Sequence, residues 1–279
     1  MMVRQGLIQR LFVFGLSVLA WLPVQASISV ANQMRSLTSA DYQWVAQKLF
    51  QNEANQNPAY LTFWSAKEPF PSLGIGHFIW MPEGVDAPFV ETFPEMVAFV
   101  SAHQPPPAWL QVLQDSSHFK PPWPDRPHFQ QAQNSLAMQQ LRDWLLETAD
   151  WQARFIVQRL GQQLAEVSQQ LTPHQTQIVE QHLAALLQRK QGAFALIDYS
   201  NFKGIGLNIK ETYQAEGWGL MDVLLAMPSA VTVETALPEF VSTAQQLLQN
   251  RVKNARPGRN EAHWLPGWTK RLEGYLSNE

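Results

Sequence analysis

Apolar residues at helical spacing form the first clear pattern along the chain. They lie three or four positions apart and are Tyr42, Val45, Ala46, Leu49 and Phe50. Thr38, followed three residues later by Asp41, is typical of a helix start. The pattern therefore predicts a helix that ends near Glu53.

The stretch from Tyr60 to Trp80 loses this helical periodicity. It mixes aromatic residues with Pro69 and Pro71 and contains a short glycine-rich turn. Such a composition is typical of short strands joined by turns, so we expect a small sheet here rather than a second helix.

Prolines dominate residues 101 to 128. They are Pro105, Pro106, Pro107, Pro121, Pro122, Pro124 and Pro127. Because proline removes a backbone donor and fixes φ, this density predicts neither regular helix nor sheet. We expect an ordered extended excursion, or a lid over the domain.

Strong helical patterns return after the prolines. Apolar positions from Leu141 to Leu160 predict one long helix, and those from Ile178 to Leu187 predict another. The nearly all-apolar segment from Phe194 to Ile197 is typical of a buried central helix. Further helices are predicted from Leu220 to Met227, from Phe240 to Val252 and, as a last short one, up to Tyr275. The expected fold is mostly α with a small β subdomain (α+β), in a single domain over residues 27–279.

The first 26 residues have the order of a secretory signal peptide. Arg4 and Arg10 precede an apolar run from Leu11 to Leu22, and small residues lead to a cleavage site after Ala26. A membrane anchor is the alternative, but the run is shorter than the roughly 20 residues of a spanning helix. We expect a periplasmic or secreted protein with no stable membrane span after cleavage.

The amino-acid composition and net charge of the chain indicate which kind of binding partner it has. The chain has no cysteine, and without Arg4 and Arg10 its basic residues fall from 20 to 18 against 23 acidic ones. A mildly acidic chain with no basic cluster argues against nucleic acid as a partner. Frequent Gln, Pro and Trp suit a polar, weakly charged partner such as carbohydrate.

A glutamate at a helix end, followed by a tight glycine turn in a small sheet, can form a glycosidase cleft. Here the glutamate is Glu53 and the turn is Gly74-Ile75-Gly76-His77. Glycines let the backbone approach a sugar closely, so Gly74 and Gly76 are candidate substrate-binding residues.

Three segments, in order, resemble phage-type lysozymes of the lysozyme-like superfamily. The first is Glu53 with Ser72 to His77, similar to that family's catalytic glutamate and its Thr-Ile-Gly-Ile-Gly-His segment. The second runs from Ala195 through Asp198, Asn201 and Phe202 to Gly204, and the third from Arg251 to Arg259. The resemblance covers both ends of the mature chain and implies a lysozyme-like fold with a proline-rich insertion.

The resemblance implies that Glu53 is the general acid that protonates the glycosidic oxygen, and that Arg259 is paired with it. A neighbouring guanidinium lowers a carboxyl pKa, so burial of the cleft would have to oppose that shift. The implied substrates are β-1,4 amino-sugar chains, peptidoglycan first among them, and the chemistry requires neither cofactor nor metal.

One residue departs from the family pattern. The second carboxylate of that family is an aspartate, and the equivalent position here is close to Ala66. Glu68 could act as the base instead, or Ser72 could orient the attacking water. Without a second carboxylate, the enzyme would resemble the single-glutamate lytic transglycosylases, which leave an anhydro product.

Other residues allow two interpretations each. His77 could support the site or simply bond within the sheet. Trp64, Trp80 and Trp218 could stack on sugars, but core packing is the alternative. Asp198 and Asn201 belong either to an internal hydrogen-bond network or to the floor of the cleft.

Two rival functions remain open at this stage. One is hydrolysis of a different polysaccharide, such as chitosan or chitin, by the same glutamate. The other is a non-catalytic envelope protein that binds glycan on the same fold, which the missing aspartate favours.

Overall fold

A computed structural model describes residues 37–54, 56–87, 89–207 and 212–277. The predicted signal peptide lies outside these residues. The first helix, α1, spans Ser39–Ala54. The backbone N–H of Thr38 donates to Asp41, whose own N–H donates to the Thr38 hydroxyl, at 2.9 and 3.2 Å. This reciprocal cap confirms the predicted start, and it lowers the pKa of Asp41.

A three-stranded antiparallel sheet follows a short 3-10 helix at Pro58–Leu61. Its strands, in spatial order, are β1 (Thr62–Phe63), β2 (Ser72–Leu73) and β3 (Phe78–Ile79). The register places Thr62 and Phe78 on either side of Leu73, and all three are buried, which is the alternation expected of a half-buried sheet. The predicted small sheet is confirmed.

Helices make up most of the remaining structure. They are α2 (Phe93–Ser101), α3 (Ala108–Gln114), α4 (Arg126–Gln131), α5 (Leu136–Glu147), α6 (Ala149–Ser168), α7 (Pro173–Leu186), α8 (Lys190–Lys203), α9 (Leu220–Ala226), α10 (Ala236–Lys253) and α11 (Leu265–Glu273). Two strands, β4 (Thr212–Tyr213) and β5 (Glu216–Gly217), form a hairpin between α8 and α9. In the part of the chain that is described, no helix has the length and apolar character to cross a membrane.

The proline-rich segment is more regular than its composition predicts. Helix α3 starts directly after Pro107, and α4 carries Pro127 in its first turn. The prediction of no helix was wrong because proline is tolerated in the first turn, where its missing N–H would have no helical partner. The segment contributes Trp123 to an aromatic cluster with Trp80 and Phe129.

The long helix predicted from Leu141 to Leu160 is two helices. Thr148, with φ −101° and ψ 15°, separates α5 from α6, and its hydroxyl donates back to the carbonyl of Trp144. The apolar pattern continues across this break because both helices pack against the same core, so periodicity alone could not locate it.

A buried glutamine joins the sheet to these two helices. The Gln152 side-chain oxygen accepts from the N–H of Ile75 at 3.0 Å, and its nitrogen donates to the Leu145 carbonyl at 2.6 Å and to the Thr148 hydroxyl at 3.1 Å. Gln152 has no exposed surface. It therefore fixes the glycine turn to the helical body.

Helix α8 lies at the centre of the helical body, as predicted. Its residues from Gly192 to Tyr199 are buried in succession. Trp44 of α1 meets Phe194 edge to face, and Asn52 donates to Asp198 at 3.3 Å. The contact nearer the start of α1 is made with the residue nearer the start of α8, so the two helices run in the same direction. Their C-terminal ends therefore lie on the same side of the molecule.

Gln152→Leu is expected to lower the free energy of unfolding by about 2 kcal/mol, because the buried N–H of Ile75 loses its acceptor. Urea unfolding followed by circular dichroism measures the change. Gln162→Leu, at an exposed position of the same helix, is the matched control and should change stability by less than about 0.5 kcal/mol. An equally small loss at Gln152 would contradict its anchoring role.

Candidate functional site

A cleft of about 520 Å³ opens at the C-terminal end of α8. Residues from α8, the β4–β5 hairpin, α10 and the loop after α10 line it. They are Phe202, Lys203, Gly204, Tyr213, Trp218, Arg251, Arg256 and Arg259. Its volume is typical of a small-molecule site, and its charged lining is strongly cationic.

A fixed ion pair forms one wall of the cleft. Arg251 donates to the Glu261 carboxylate through Nε at 2.6 Å and Nη2 at 3.3 Å, and the Tyr213 hydroxyl donates to Oε1 at 2.8 Å. Burial opposes ionisation of Glu261, but the hydrogen bonds from Arg251 and Tyr213 outweigh it and lower its pKa. This carboxylate was not predicted as a site residue, because no local sequence pattern indicates its pairing with Arg251.

Lys203 lies between aromatic rings. Its ammonium nitrogen is 3.4 Å from the centre of the Trp268 ring and 4.0 Å from that of Phe202. Burial, with repulsion from Arg251 as the next cause, lowers the pKa of Lys203 to about 7. The amine is therefore neutral in part of the population near neutral pH.

Trp218 is a wall residue with little free ring surface. It is 7% exposed, and the Arg251 guanidinium covers its ring at 4.1 Å while Tyr213 packs against it at 4.9 Å. The core-packing interpretation describes it better than the sugar-stacking one. Its carbonyl also accepts from the buried Tyr199 hydroxyl at 2.7 Å.

A second depression of about 370 Å³ adjoins the first and shares Arg251 and Arg259 with it. Trp264 lines it and is 59% exposed. This exposed ring, which meets that of His263 at 5.2 Å, was not predicted as a site residue. The sequence signal for an exposed ring is the polar pair Asn260 and Glu261, which lie four and three residues before Trp264. A buried tryptophan in a helix would have apolar residues at those positions.

Asp198 belongs to an internal network rather than to the cleft floor. It has no exposed surface and accepts from Arg271 through Nε at 2.7 Å and Nη2 at 2.8 Å. The Tyr275 hydroxyl and the Asn52 amide complete its partners. The substrate-binding interpretation of Asp198 was therefore wrong, because every described partner is internal. Asn201 is exposed and does not line the cleft.

Glu53 lies in the last turn of α1, and its side chain is outside the described part of the structure. Its backbone position relative to α8 is fixed, because the preceding residue, Asn52, donates a hydrogen bond to Asp198. Phe202 and Lys203 follow Asp198 on α8 by about 6 Å of helical rise. The end of α1 is thus on the same side of the molecule as the cleft.

The glycine turn has a packing role. A Cβ at Gly74, whose φ is +72°, would overlap the Gln152 side chain, and one at Gly76 would meet Phe78 and Ile156 at 2.7 and 2.9 Å. Close approach to the protein interior therefore accounts for both glycines, rather than close approach to a sugar. His77, also at positive φ (49°), ends the turn.

The remaining predicted residues lie on or beside the sheet. Ser72 is half-buried in the middle strand, and Glu68 is half-buried in the turn that starts at Ser65. Trp80 is fully buried and donates to the Phe119 carbonyl at 3.3 Å, and Trp64 packs on Phe129 at 5.5 Å. Sugar stacking by Trp64 and Trp80 was wrong, because the aromatic core covers their rings.

Of the predicted site residues, the described cleft brings together Arg259 and Trp218. Arg259 approaches Glu261 at 4.0 Å and keeps 66% of its side chain exposed. Within the described residues, no group of three or more His, Asp or Glu side chains is arranged to hold a metal ion.

No protein-family model matches the chain, and neither a curated protein nor a solved structure is significantly similar to it.

Arg271→Gln is expected to destabilise the fold by about 3 kcal/mol, because it leaves the buried Asp198 carboxylate without its cation. Chemical unfolding measures this loss. Lys270→Gln removes the same charge from the exposed neighbouring position and should have little effect. Equal stabilities of the two variants would show that the Asp198 network does not support the fold.

The free energy of unfolding should rise between about pH 7 and pH 9 through Lys203. Its folded pKa of about 7 lies below the ordinary 10.5, so the unfolded chain binds more protons over that window. Lys203→Met should flatten this slope, while Lys253→Met, at an exposed position, should keep that of the parent. The idea fails if both variants retain the parent slope in denaturant titrations repeated across this range.

Proposed function

We propose that this protein is a glycan-cleaving enzyme of the cell envelope with Glu53 as its general acid. One observation carries the proposal: the Asn52–Asp198 bond holds the end of α1 beside the segment of α8 that continues into the cleft. The preferred substrates are β-1,4 amino-sugar chains, first of all peptidoglycan. A periplasmic or secreted location is part of the proposal, because that substrate lies outside the cytoplasm.

The order of elements supports a lysozyme-like arrangement. A helix with Glu53 in its last turn, a small antiparallel sheet and a buried helix that includes Ala195 to Asp198 follow one another as the sequence resemblance implies. The C-terminal arginine segment then lines the cleft. These are the parts that a glycosidase of this type requires: a positioned acid, a scaffold for the opposite wall and a polar groove.

Glu261 would weaken the effect of Arg259 on Glu53 if the two side chains lie together, as the resemblance implies. A lone guanidinium would favour an ionised Glu53, whereas a general acid must begin protonated. Here both Arg251 and Arg259 approach the Glu261 carboxylate, which offsets part of their positive field. An acid beside them therefore experiences a weaker pull towards ionisation than an isolated arginine would exert.

The second step of the reaction has three possible forms. Glu68 would activate a water if it faces the far side of the sugar, or alternatively Ser72 would orient an attacking water. With no base in reach, the sugar's own hydroxyl attacks and an anhydro product forms.

Glycan binding without cleavage is a second candidate function. The observation that favours it is the complete engagement of Glu261 by Arg251 and Tyr213, which leaves the described lining of the cleft without a free carboxylate. Hydrolysis of chitosan or chitin is a third possibility that uses the same Glu53 chemistry.

Glu53→Gln is expected to reduce release of soluble products from purified sacculi by about 100- to 10,000-fold, because general acid catalysis is lost. Mass spectrometry of the products distinguishes reducing from anhydro ends, and parallel digests of chitosan and chitin test the rival substrates. Glu68→Gln run beside it tests the second carboxylate. Glu83→Gln, whose side chain is 72% exposed, is the control. Unchanged turnover in the Glu53→Gln protein would refute the enzymatic proposal.

A further inference from the structure

The cleft has more positive charge than its internal partners neutralise. Arg251 is held by Glu261. Arg256 is exposed and has no ion pair among the described residues, and Arg259 reaches Glu261 only at 4.0 Å. Two guanidinium groups at the rim are therefore available to an incoming anion.

An exposed aromatic ring lies next to these cations. The two depressions, of about 520 and 370 Å³, adjoin at Arg251 and Arg259, and the pair is called the groove here. Trp264 lines its outer part and is 59% exposed. An indole ring at this position suits the apolar face of a pyranose, whereas the core covers Trp64 and Trp80.

We propose that this groove binds an acidic glycan, with Arg256 and Arg259 holding a carboxylate on the sugar and Trp264 packing against the ring. The carboxylate matches the planar fork of a guanidinium, which can donate two parallel hydrogen bonds to it. The proposal deepens the proposed function and rests on it only for the identity of the ligand as a glycan. Two sources provide this chemistry: a lactyl ether on an amino sugar, or a uronic acid.

Protonation of Lys203 on binding would distinguish a bound anion from a bound neutral sugar. The charged groups nearest its amine are Arg251 of α10, Glu261 of the 3-10 helix Glu261–Trp264 and Arg271 of α11. Because burial and the two arginines hold its pKa at about 7, a nearby carboxylate would favour the ammonium form. Binding of the acidic ligand near neutral pH should therefore take up protons from the buffer.

Isothermal titration calorimetry tests the proposal on the full chain carrying Glu53→Gln, so that ligands stay intact. The ligands are neutral chitotetraose, a peptide-free peptidoglycan tetrasaccharide that carries lactyl carboxylates, and tetragalacturonate. At least one acidic ligand should bind about tenfold tighter than chitotetraose, and this difference in affinity should decrease at high salt. The acidic ligand that binds more tightly identifies the source of the carboxylate. Titrations in buffers of different ionisation enthalpy should show proton uptake with the acidic ligand alone.

Single substitutions locate the site. Arg256→Gln and Arg259→Gln should each weaken the acidic ligand by about tenfold and leave chitotetraose unchanged. Trp264→Ala should weaken all ligands that bind, and Lys203→Met should abolish proton uptake. Arg189→Gln removes an exposed arginine that pairs with Glu234 at the opposite end of α8, and it should change nothing.

Equal affinity for acidic and neutral ligands, or an acidic preference that survives both arginine substitutions, would overturn the proposal. These outcomes are separate from those of the cleavage assay. If Glu53→Gln abolishes cleavage but the groove shows no preference for acidic ligands, the groove proposal is refuted and the enzymatic proposal stands. If the Glu53→Gln protein is fully active and its groove still prefers acidic ligands, the enzymatic proposal is refuted and the groove proposal stands.

Discussion

The buried carboxylate of Asp198 is the interaction on which the arrangement of the cleft depends. It has no exposed surface, and its partners come from α1, from α11 and from the turn after α11. A buried carboxylate is tolerated only when its hydrogen bonds and its counter-charge are all in place. Contacts from both ends of the described chain therefore have to be in place around Asp198, and they fix the end of α1 relative to α8.

The sheet is held by a different kind of contact. Gln152 satisfies the N–H of Ile75 while its own amide is satisfied by Leu145 and Thr148. The break at Thr148 contributes to this contact, because the Thr148 hydroxyl at the end of α5 accepts a hydrogen bond from the Gln152 amide. Neutral hydrogen bonds thus position the sheet, whereas an ion pair positions the cleft.

Local patterns predicted the elements whose signals are themselves local. The cap of Thr38 and Asp41, the small sheet between Tyr60 and Trp80 and the apolar run of α8 each follow from a few adjacent residues, and each is confirmed. The break at Thr148 was missed because it leaves the apolar face unchanged. The helices beside Pro107 and Pro127 were missed because their prolines were counted by density rather than by position in the first turn.

The site itself was predictable only in part, because its roles depend on distant partners. Nothing in the neighbourhood of Asp198 indicates that Arg271 reaches it across 73 positions of sequence. Gly74 and Gly76 resemble ligand-binding glycines in sequence, yet the space that they vacate is filled by Gln152, Phe78 and Ile156. The exposed ring of Trp264 becomes a candidate only when the groove beside Arg259 is visible.

The arginines of the cleft differ in function because they differ in what already holds them. Arg251 is fixed by Glu261 and packs over Trp218, so its charge is matched and its conformational freedom has been given up on folding. Arg259 keeps 66% of its side chain exposed. A ligand carboxylate gains more from Arg259, whose contact with Glu261 is long and solvent-exposed, because less internal pairing has to be given up than at Arg251. Stability and affinity can therefore be assigned to different arginines of one cluster, and an arginine's role follows from its partners rather than from its distance to the cleft.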